Sequence, residues 1–450
     1  MNADHHAQKI AALRAALAAA PVAGAGTIGL AKPTSNLFRD RARRPPPRVD
    51  VKHFREVIAV DPAGTVDAEG MTTYADLVDA TLAHGVVPRV VPQLKSITLG
   101  GALAGVGIEA SSFRYGLVHE TVAAFDVLTG DGRIVHCTPD NEHRDLFHGF
   151  PNSYGTLGYA LLVRARTVPA RPYVALRHTR YTDPAECFAD LARFCTASDV
   201  DFLDGVAFAP DDLCVTRGRF VDTAPFVSDY TYEHIYYRSL RERASDYLTT
   251  RDYLWRWDTD WFWCSRQLGA QNPVVRRLLG RRRLNSITYQ RIMRWNSRWG
   301  LTRAWNRLRG RHAESVIQDV DIPIDRAGEF LDFLATGIGI WPVWLCPIRA
   351  RAADAPTFPL YPMQQGVTYV NFGFWDVVLD PRPRPPGFRN RLIEQKVTAL
   401  GGVKSLYSES YYSEGEFWAL HDRAAYGALK RTYDPANALG DLYTKCVVRA

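Results

Sequence analysis

From residue 50 onward the apolar positions fall in short alternating runs broken by glycine and proline, the pattern of strands joined by tight turns. EVIAVDPAGTV (56–66) predicts two strands about a turn at Asp61-Pro62-Ala63-Gly64. A helix from Thr72 to His84 follows, with Thr72 as N-cap and Gly85 at its end. VVPRVVP (86–92) returns as a strand and leads into a glycine-rich stretch from Thr98 to Gly116. VAAFDVLTGDGRIVHC (122–137) places β-rich runs on either side of Gly130-Asp131-Gly132, a hairpin signature because glycine tolerates positive φ. GTLGYALLVRARTVP (155–169) adds a strand ending at Pro169. Residues 50–170 thus predict one α+β unit of short strands.

Ahead of it, residues 1–30 read as a lead helix and a Gly/Ala connector, and Pro45-Pro46-Pro47 as an extended turn, which sets 1–49 apart. Beyond Arg171 the pattern changes to strands and longer helices rich in Tyr and Trp, as in TYEHIYYRSLRERASDYL (231–248). A Pro/Arg-rich loop from Asp380 to Pro386 precedes a final helical portion, so 171–450 predicts a second α+β domain. No internal repeat is visible.

A chain of 450 residues with 46% hydrophobic and 23% charged content suits two or three globular domains and excludes disorder, collagen and coiled coil. The best uncharged apolar run, Ala335 to Ile348, is too short to span a bilayer and contains Pro342, so no transmembrane segment is predicted. Arg14 before an alanine-rich stretch imitates a secretion signal, but no Leu/Ile/Val-rich core follows, and an amphipathic helix is expected instead. Seven widely spaced cysteines without a C-x-x-C fit neither a disulfide framework nor a zinc ribbon, which makes the cytoplasm the expected compartment.

The net charge of +7 is unevenly placed: residues 276–311 hold twelve arginines, no lysine and no acid, so everything else sums to −5. Ile292, Trp295 and Trp299 recur there at helical steps. Such a surface suits the anionic face of a membrane, the inner face for a cytoplasmic protein, where arginine meets headgroups and tryptophan the polar boundary. Nucleic-acid contact is the weaker rival, and a solvated helix pair whose tryptophans pack on the body is the plain alternative.

Gly24-Ala25-Gly26-Thr27-Ile28-Gly29 matches a dinucleotide phosphate loop formally, yet a helical run precedes it and Lys32-Pro33 follows, so it reads as connector. TLGGALAGVGIEASSFRYG (98–116) is more telling. Gly100, Gly101, Gly105 and Gly107 leave the backbone bare for close approach to phosphates, and Ser111 and Ser112 add hydroxyls; tight packing is the other use of such glycines. Gly155-Thr156-Leu157-Gly158 offers a second close-approach site. His136, Cys137, Glu142, His143, Asp145 and His148 lack a tight zinc spacing, and no metal site is predicted. Glu109 beside the glycines must be turned away or paired, with Arg114 as the expected partner.

The order LGGALAGVGIEASSFRYGLVHETV (99–122), Gly130-Asp131-Gly132, Asp145-Leu146-Phe147 and GTLGYALLVRARTVPA (155–170) resembles the FAD-binding domain of the vanillyl-alcohol oxidase and p-cresol methylhydroxylase superfamily. Within it, GIEASSFRYGL, FPNSYGTLGYALLVRARTVPARPYV, IWPVWLCPI and LYSESYYSEGEFWALHD are similar to the sterol Δ24-reductase family and its bacterial relatives. The resemblance runs from about residue 50 to the end.

It implies an α+β fold with a two-part FAD domain and a substrate-covering domain, FAD held noncovalently between them, and NADPH as electron donor. The cofactor-binding candidates are Thr98, Gly100, Gly101, Gly105, Gly107, Ser111, Ser112, Gly116, His119, Gly155 and Thr156, with the pyrophosphate against Thr98 to Ser112. The superfamily's first Arg/Gly phosphate loop is not evident; Lys32-Pro33-Thr34-Ser35-Asn36 stands near its place. The animal enzymes' membrane anchor is also absent, and the Arg/Trp segment is the candidate substitute.

Near the carboxyl end, Tyr407, Glu409 and Tyr411 are the proton-donor candidates, beside Lys404 and Tyr412. Trp341, Trp344, Phe372, Phe374 and Trp375 are candidates to line a water-poor pocket, with core packing as their other use. A nicotinamide hydride adds poorly to an isolated alkene, whereas a reduced flavin can deliver it while a protein acid protonates the other carbon. The expectation is an FAD-dependent reductase of a carbon–carbon double bond in a lipid, a methylene-branched fatty acyl chain or a sterol-type side chain. The alternatives are an FAD-dependent oxidase or dehydrogenase of alcohols or hydroxy acids, and a binding protein with a vestigial flavin domain.

Overall fold

The computed structural model describes residues 2–19, 29–31, 38, 48–299, 306 and 309–448, and its sheets bear out the α+β class. The expected connector Gly24–Ile28, the Lys32–Asn36 segment and Pro45–Pro47 lie outside these residues. Strands β1 (Gly29–Ala31) and β2 (Arg48–Asp50) form a parallel pair. A six-stranded antiparallel sheet follows, from β3 (Val57–Asp61), β4 (Thr65–Glu69), β5 (Val86–Pro88), β6 (Val122–Leu128), β7 (Ile134–Cys137) and β8 (Tyr159–Pro169). Their order is β3-β4-β8-β6-β7, with β5 also on β8.

Both hairpins turn where the glycines predict. Gly64 at φ +138° donates its N–H to the Asp61 carbonyl at 3.1 Å, and Gly132 sits at φ +84° in the β6–β7 turn. The next helix, Tyr74–Leu82, starts one residue later than expected: the Thr73 hydroxyl accepts the Asp76 N–H at 3.2 Å as N-cap. Thr72 is buried and donates instead to the Glu56 carbonyl at 3.1 Å. The lead helix, Asn2–Ala19, packs on this unit through buried Leu13, while His6 and Lys9 each lie 2.8 Å from the fully buried Glu69 carboxylate.

The eight-stranded antiparallel sheet comprises β9 (Tyr173–Tyr181), β10 (Phe202–Ala209), β11 (Asp212–Val221), β12 (Ser245–Thr249), β13 (His312–Pro323), β14 (Val343–Ile348), β15 (Tyr369–Asp380) and β16 (Val403–Lys404). Its order is β12-β9-β11-β10-β14-β15-β13-β16. One face buries Val316, Val320, Phe372 and Phe374 under the helices Pro184–Phe194, Ala327–Phe333 and Phe388–Ala399. Because strand side chains alternate, Ile317, Asp319, Asp321, Asn371 and Trp375 turn to the other face, toward the six-stranded unit. The long helix expected in 231–248 is not formed. Only Tyr236–Ser239 is helical, because Tyr230, Tyr236 and Tyr237 are drawn into the core and packing outweighs the local pattern. Among the described residues no helix is long and apolar enough to cross a membrane.

Candidate functional site

The two units meet over a cavity of about 310 Å³. One wall is the segment 97–108, which contains the helix Leu99–Ala104, with Thr98 as N-cap accepting the Gly101 N–H at 3.3 Å. Here the glycines serve close packing. The Gly100 N–H donates to the Gly70 carbonyl at 2.9 Å, and a Cβ on Gly100 would lie 2.9 Å from that same oxygen. A Cβ on Gly107 would crowd Pro92, Val118 and Ala102. The helix therefore lies flat on the sheet and presents bare backbone to the cavity. The N–H groups of Leu99, Gly100 and Ala102 are spent on Thr72, Gly70 and Thr98 carbonyls, so this wall offers close approach rather than a clasp of those donors.

A second wall is the loop before β8, where Asn152, Tyr154, Gly155 and Gly158 all take positive φ, of 62°, 48°, 80° and 147°. Two non-glycine residues there need outside support. It comes from Asn152 Nδ2 donating to the Leu360 carbonyl at 2.6 Å and the Tyr154 N–H donating to the Ala104 carbonyl at 3.3 Å.

The third wall is the inner face of β13 and β15 with the segment before Tyr407. Asp319 and Asp321, two residues apart on one strand, point the same way. Asp321 is fully engaged: Tyr361 Oη donates to one oxygen at 2.5 Å and Asn371 Nδ2 to the other at 2.7 Å. Asp319 is hydrogen-bonded to the Tyr407 hydroxyl, which accepts from Trp375 Nε1 at 2.7 Å, yet its Oδ1 is buried without a partner. Burial pushes the Asp319 carboxyl up to about 7, with Tyr407 opposing and Asp321 adding to the rise. Burial likewise raises Asp321 to about 6 against its two hydrogen bonds. The cavity thus places a carboxyl that holds its proton near neutral pH among apolar walls.

The sequence profile of the FAD binding domain family matches residues 6–138. The human Delta(24)-sterol reductase is 26% identical over 395 residues, covering 84% of this chain and 73% of that protein. The pea Delta(24)-sterol reductase is 24% identical over 442 residues, covering 88% and 76%. The rice cytokinin dehydrogenase 7 is 32% identical over 152 residues, only 33% of this chain and 29% of its own length. The chain is an FAD-binding oxidoreductase, a distant relative of the Delta(24)-sterol reductases. The fold is the FAD domain and large antiparallel sheet domain of the vanillyl-alcohol oxidase type.

The donor set of this flavoprotein's cavity fits a flavin. Gln93 Nε2 and Asn371 Oδ1 both belong to lining residues and both are buried without a protein partner. A buried orphan polar atom costs about 1–3 kcal/mol. The flavin ring edge, with both acceptors and an N–H donor, supplies what these atoms lack, and the bare glycine walls allow a flat ring to approach.

Of the sequence candidates, Thr98, Gly100, Gly101, Gly105, Gly107, Gly155 and Tyr407 line the cavity. The others do not. Ser111 donates to the Arg89 carbonyl at 2.7 Å and borders a separate, smaller pocket. Ser112 accepts the Glu109 N–H at 3.1 Å, and Thr156 donates to the Ser153 carbonyl at 2.8 Å. Gly116 leaves room for the Glu120 carboxylate, which accepts the Leu117 N–H at 2.8 Å. His119 is buried against Phe358, rings 4.3 Å apart, and burial drives it down to about 3, so it is neutral. Glu409 accepts from Tyr411 Oη at 2.6 Å beside the helix Phe388–Ala399, away from the cavity, where Lys404 meets Glu394 at 3.0 Å. Of the five expected aromatics only Trp375 lines the cavity; Phe372 and Phe374 face the opposite core, and Trp344 donates to Asp204 at 3.2 Å.

The partner of Glu109 is Arg256, not Arg114. Arg256, its side chain fully buried, meets Glu109 and Asp204 of β10 at 2.7 Å each, while Arg114 reaches Asp201 at 3.4 Å. Sequence distance hid this: 147 residues separate Arg256 from Glu109. Asp319 and Asp321 were visible in principle, as acids at alternate positions of the apolar run VIQDVDIP.

Proposed function

We propose that this flavoprotein reduces an isolated carbon–carbon double bond in a lipid, with NADPH as hydride source and Asp319 as the proton donor. The observation that supports it is Asp319, a cavity-lining acid whose Oδ1 has no protein hydrogen-bond partner, in a chamber whose walls include glycine backbone, Trp261, Phe262, Ile317 and Trp375. FAD held between the glycine walls and the inner face of β13 and β15 would, once reduced, be the source of hydride for one alkene carbon. Asp319 gives its proton to the other carbon as charge develops there and regains one from solvent afterward. Tyr407 and Trp375 hold Asp319 in place through their hydrogen-bond chain. The apolar walls exclude water, which keeps the carboxyl protonated and a lipid chain favourably buried. The human and pea relatives are named for reduction of a sterol Δ24 bond, and a methylene-branched acyl chain presents equivalent reacting carbons.

The test is anaerobic. FAD-loaded protein is mixed with NADPH, then with unsaturated lipid extracts, and products are read by mass. NADPH bleaching the flavin and a two-hydrogen mass gain in one lipid are the expected results. A flavin that NADPH leaves oxidised but an alcohol or hydroxy acid bleaches refutes the reading in favour of a dehydrogenase.

A further inference from the structure

We infer that the outer face of the helices Pro273–Leu279 and Ser286–Trp299 docks on an anionic lipid bilayer and opens the cavity toward it. The surface rests on exposure and charge; only its purpose rests on the lipid-reductase reading. Five of the ten large apolar side chains that the described residues expose lie here: Val274, Leu278, Ile287, Ile292 and Trp295, with Leu278 78% and Trp295 57% exposed. So much exposed apolar surface on two neighbouring short helices marks a contact site.

These helices are fixed to the body rather than loosely attached. Tyr289 is buried and donates to the Thr259 carbonyl at 2.9 Å, and Ser286 donates to Asp258 at 2.6 Å. The next inward position, Met293, lines the cavity. So does Val377, itself 41% exposed, next to exposed Leu379 on β15. The apolar strip therefore runs onto the cavity rim.

Charge narrows the partner. Arg276 is withdrawn into a buried pair with Asp260 at 2.6 Å, and Arg281 meets Asp229 at 2.7 Å. Arg282, Arg283 and Arg291 remain exposed in a stretch without a single acid. Arginines flanking projecting Leu, Ile and Trp match a bilayer, which takes the cations at its phosphates and the apolar tips beneath them. A nucleic-acid backbone rewards only the first.

FAD-loaded protein is floated with vesicles of phosphatidylcholine alone or mixed with phosphatidylglycerol, without turnover. Binding to the phosphatidylglycerol vesicles, reduced by salt, is expected. Arg282→Gln/Arg283→Gln/Arg291→Gln should weaken it roughly 100-fold, at about fivefold per arginine near an anionic surface. Trp295→Asp should weaken it at every salt concentration, and both variants should retain flavin. Absence of binding to the anionic vesicles, binding indifferent to both variants, or preferential retention on duplex DNA overturns the assignment. Protein that floats but reduces no lipid upholds the surface and defeats the reductase reading; protein that reduces dispersed lipid but never floats does the reverse.

Discussion

Replacing Arg256 by Met removes the one cation shared by Glu109 and Asp204, and the side chains of all three are at most 2% exposed. Met fills similar volume, so the cost is electrostatic. Removing one partner of a buried ion pair costs about 3–5 kcal/mol, because the remaining charge is left uncompensated. The same figure follows from linkage. A buried carboxylate forced to take up a proton at pH 7, against an ordinary value near 4, costs about 4 kcal/mol, and at pH 5 about 1 kcal/mol. The variant's carboxyls are raised groups, so their protonated forms are tolerated at low pH and the penalty grows as pH rises. Burial already pushes Glu109 up to about 7 with Arg256 opposing it, and removing that cation takes away the opposing pull. Urea unfolding at pH 5 and pH 7 reads the difference, and Arg256→Met/Glu109→Gln/Asp204→Asn should recover most of the loss. Because Glu109 follows the glycine wall, the single variant should also hold FAD more weakly. A loss under about 1 kcal/mol at both pH values would refute the reasoning that Arg256 neutralises buried carboxylates.

Asp319→Asn should lower alkene reduction by about 10²–10⁴ while leaving NADPH bleaching of the flavin intact, read by single-turnover kinetics of each half-reaction. In the unaltered protein the alkene step should be fastest where Asp319 is protonated and decline above about pH 7. Gly100→Ala puts a Cβ 2.9 Å from a backbone oxygen that cannot retreat, so a destabilisation of about 1–3 kcal/mol and a lower flavin content on purification are expected, checked by unfolding and absorbance. Burial works to raise the Glu69 carboxyl, but His6 and Lys9 outweigh it and hold it below the ordinary range. Its contribution is therefore present above that range and lost as pH falls through the lowered value, so amide exchange in residues 2–19 should rise first on acidification, and at neutral pH in Glu69→Gln.

What the sequence made legible was local. The hairpins at Gly64 and Gly132 are written in their turn residues, because positive φ there leaves little choice of side chain. The glycine wall was legible for the same reason, although the structure gives those glycines a packing task as well as a cavity to face. The Arg256 triad and the Asp319–Tyr407–Trp375 chain were not legible, since each joins residues far apart in sequence whose neighbourhood is set by sheet order. The density of polar groups that points to Glu409 and Tyr411 as donors cannot tell a face turned to the cavity from one turned to a helix.

Strand register resolves that ambiguity, and it is where the catalytic reading gains its force. In β13 the even positions Val316, Gln318, Val320 and Ile322 are buried on the helix side, so the odd positions must face the cavity, acids included. A one-residue slip would exchange the sets and bury two carboxylates in an apolar core, at a cost few domains could carry. Twelve consecutive pairings between β13 and β15 fix that register, and the opposite position to Asp319 is Gly373, where a side chain would collide with Asp319 Oδ1. The absence of a Cβ at Gly373 thus leaves space for Asp319 Oδ1, an oxygen without a protein partner and the one the proposed proton transfer uses.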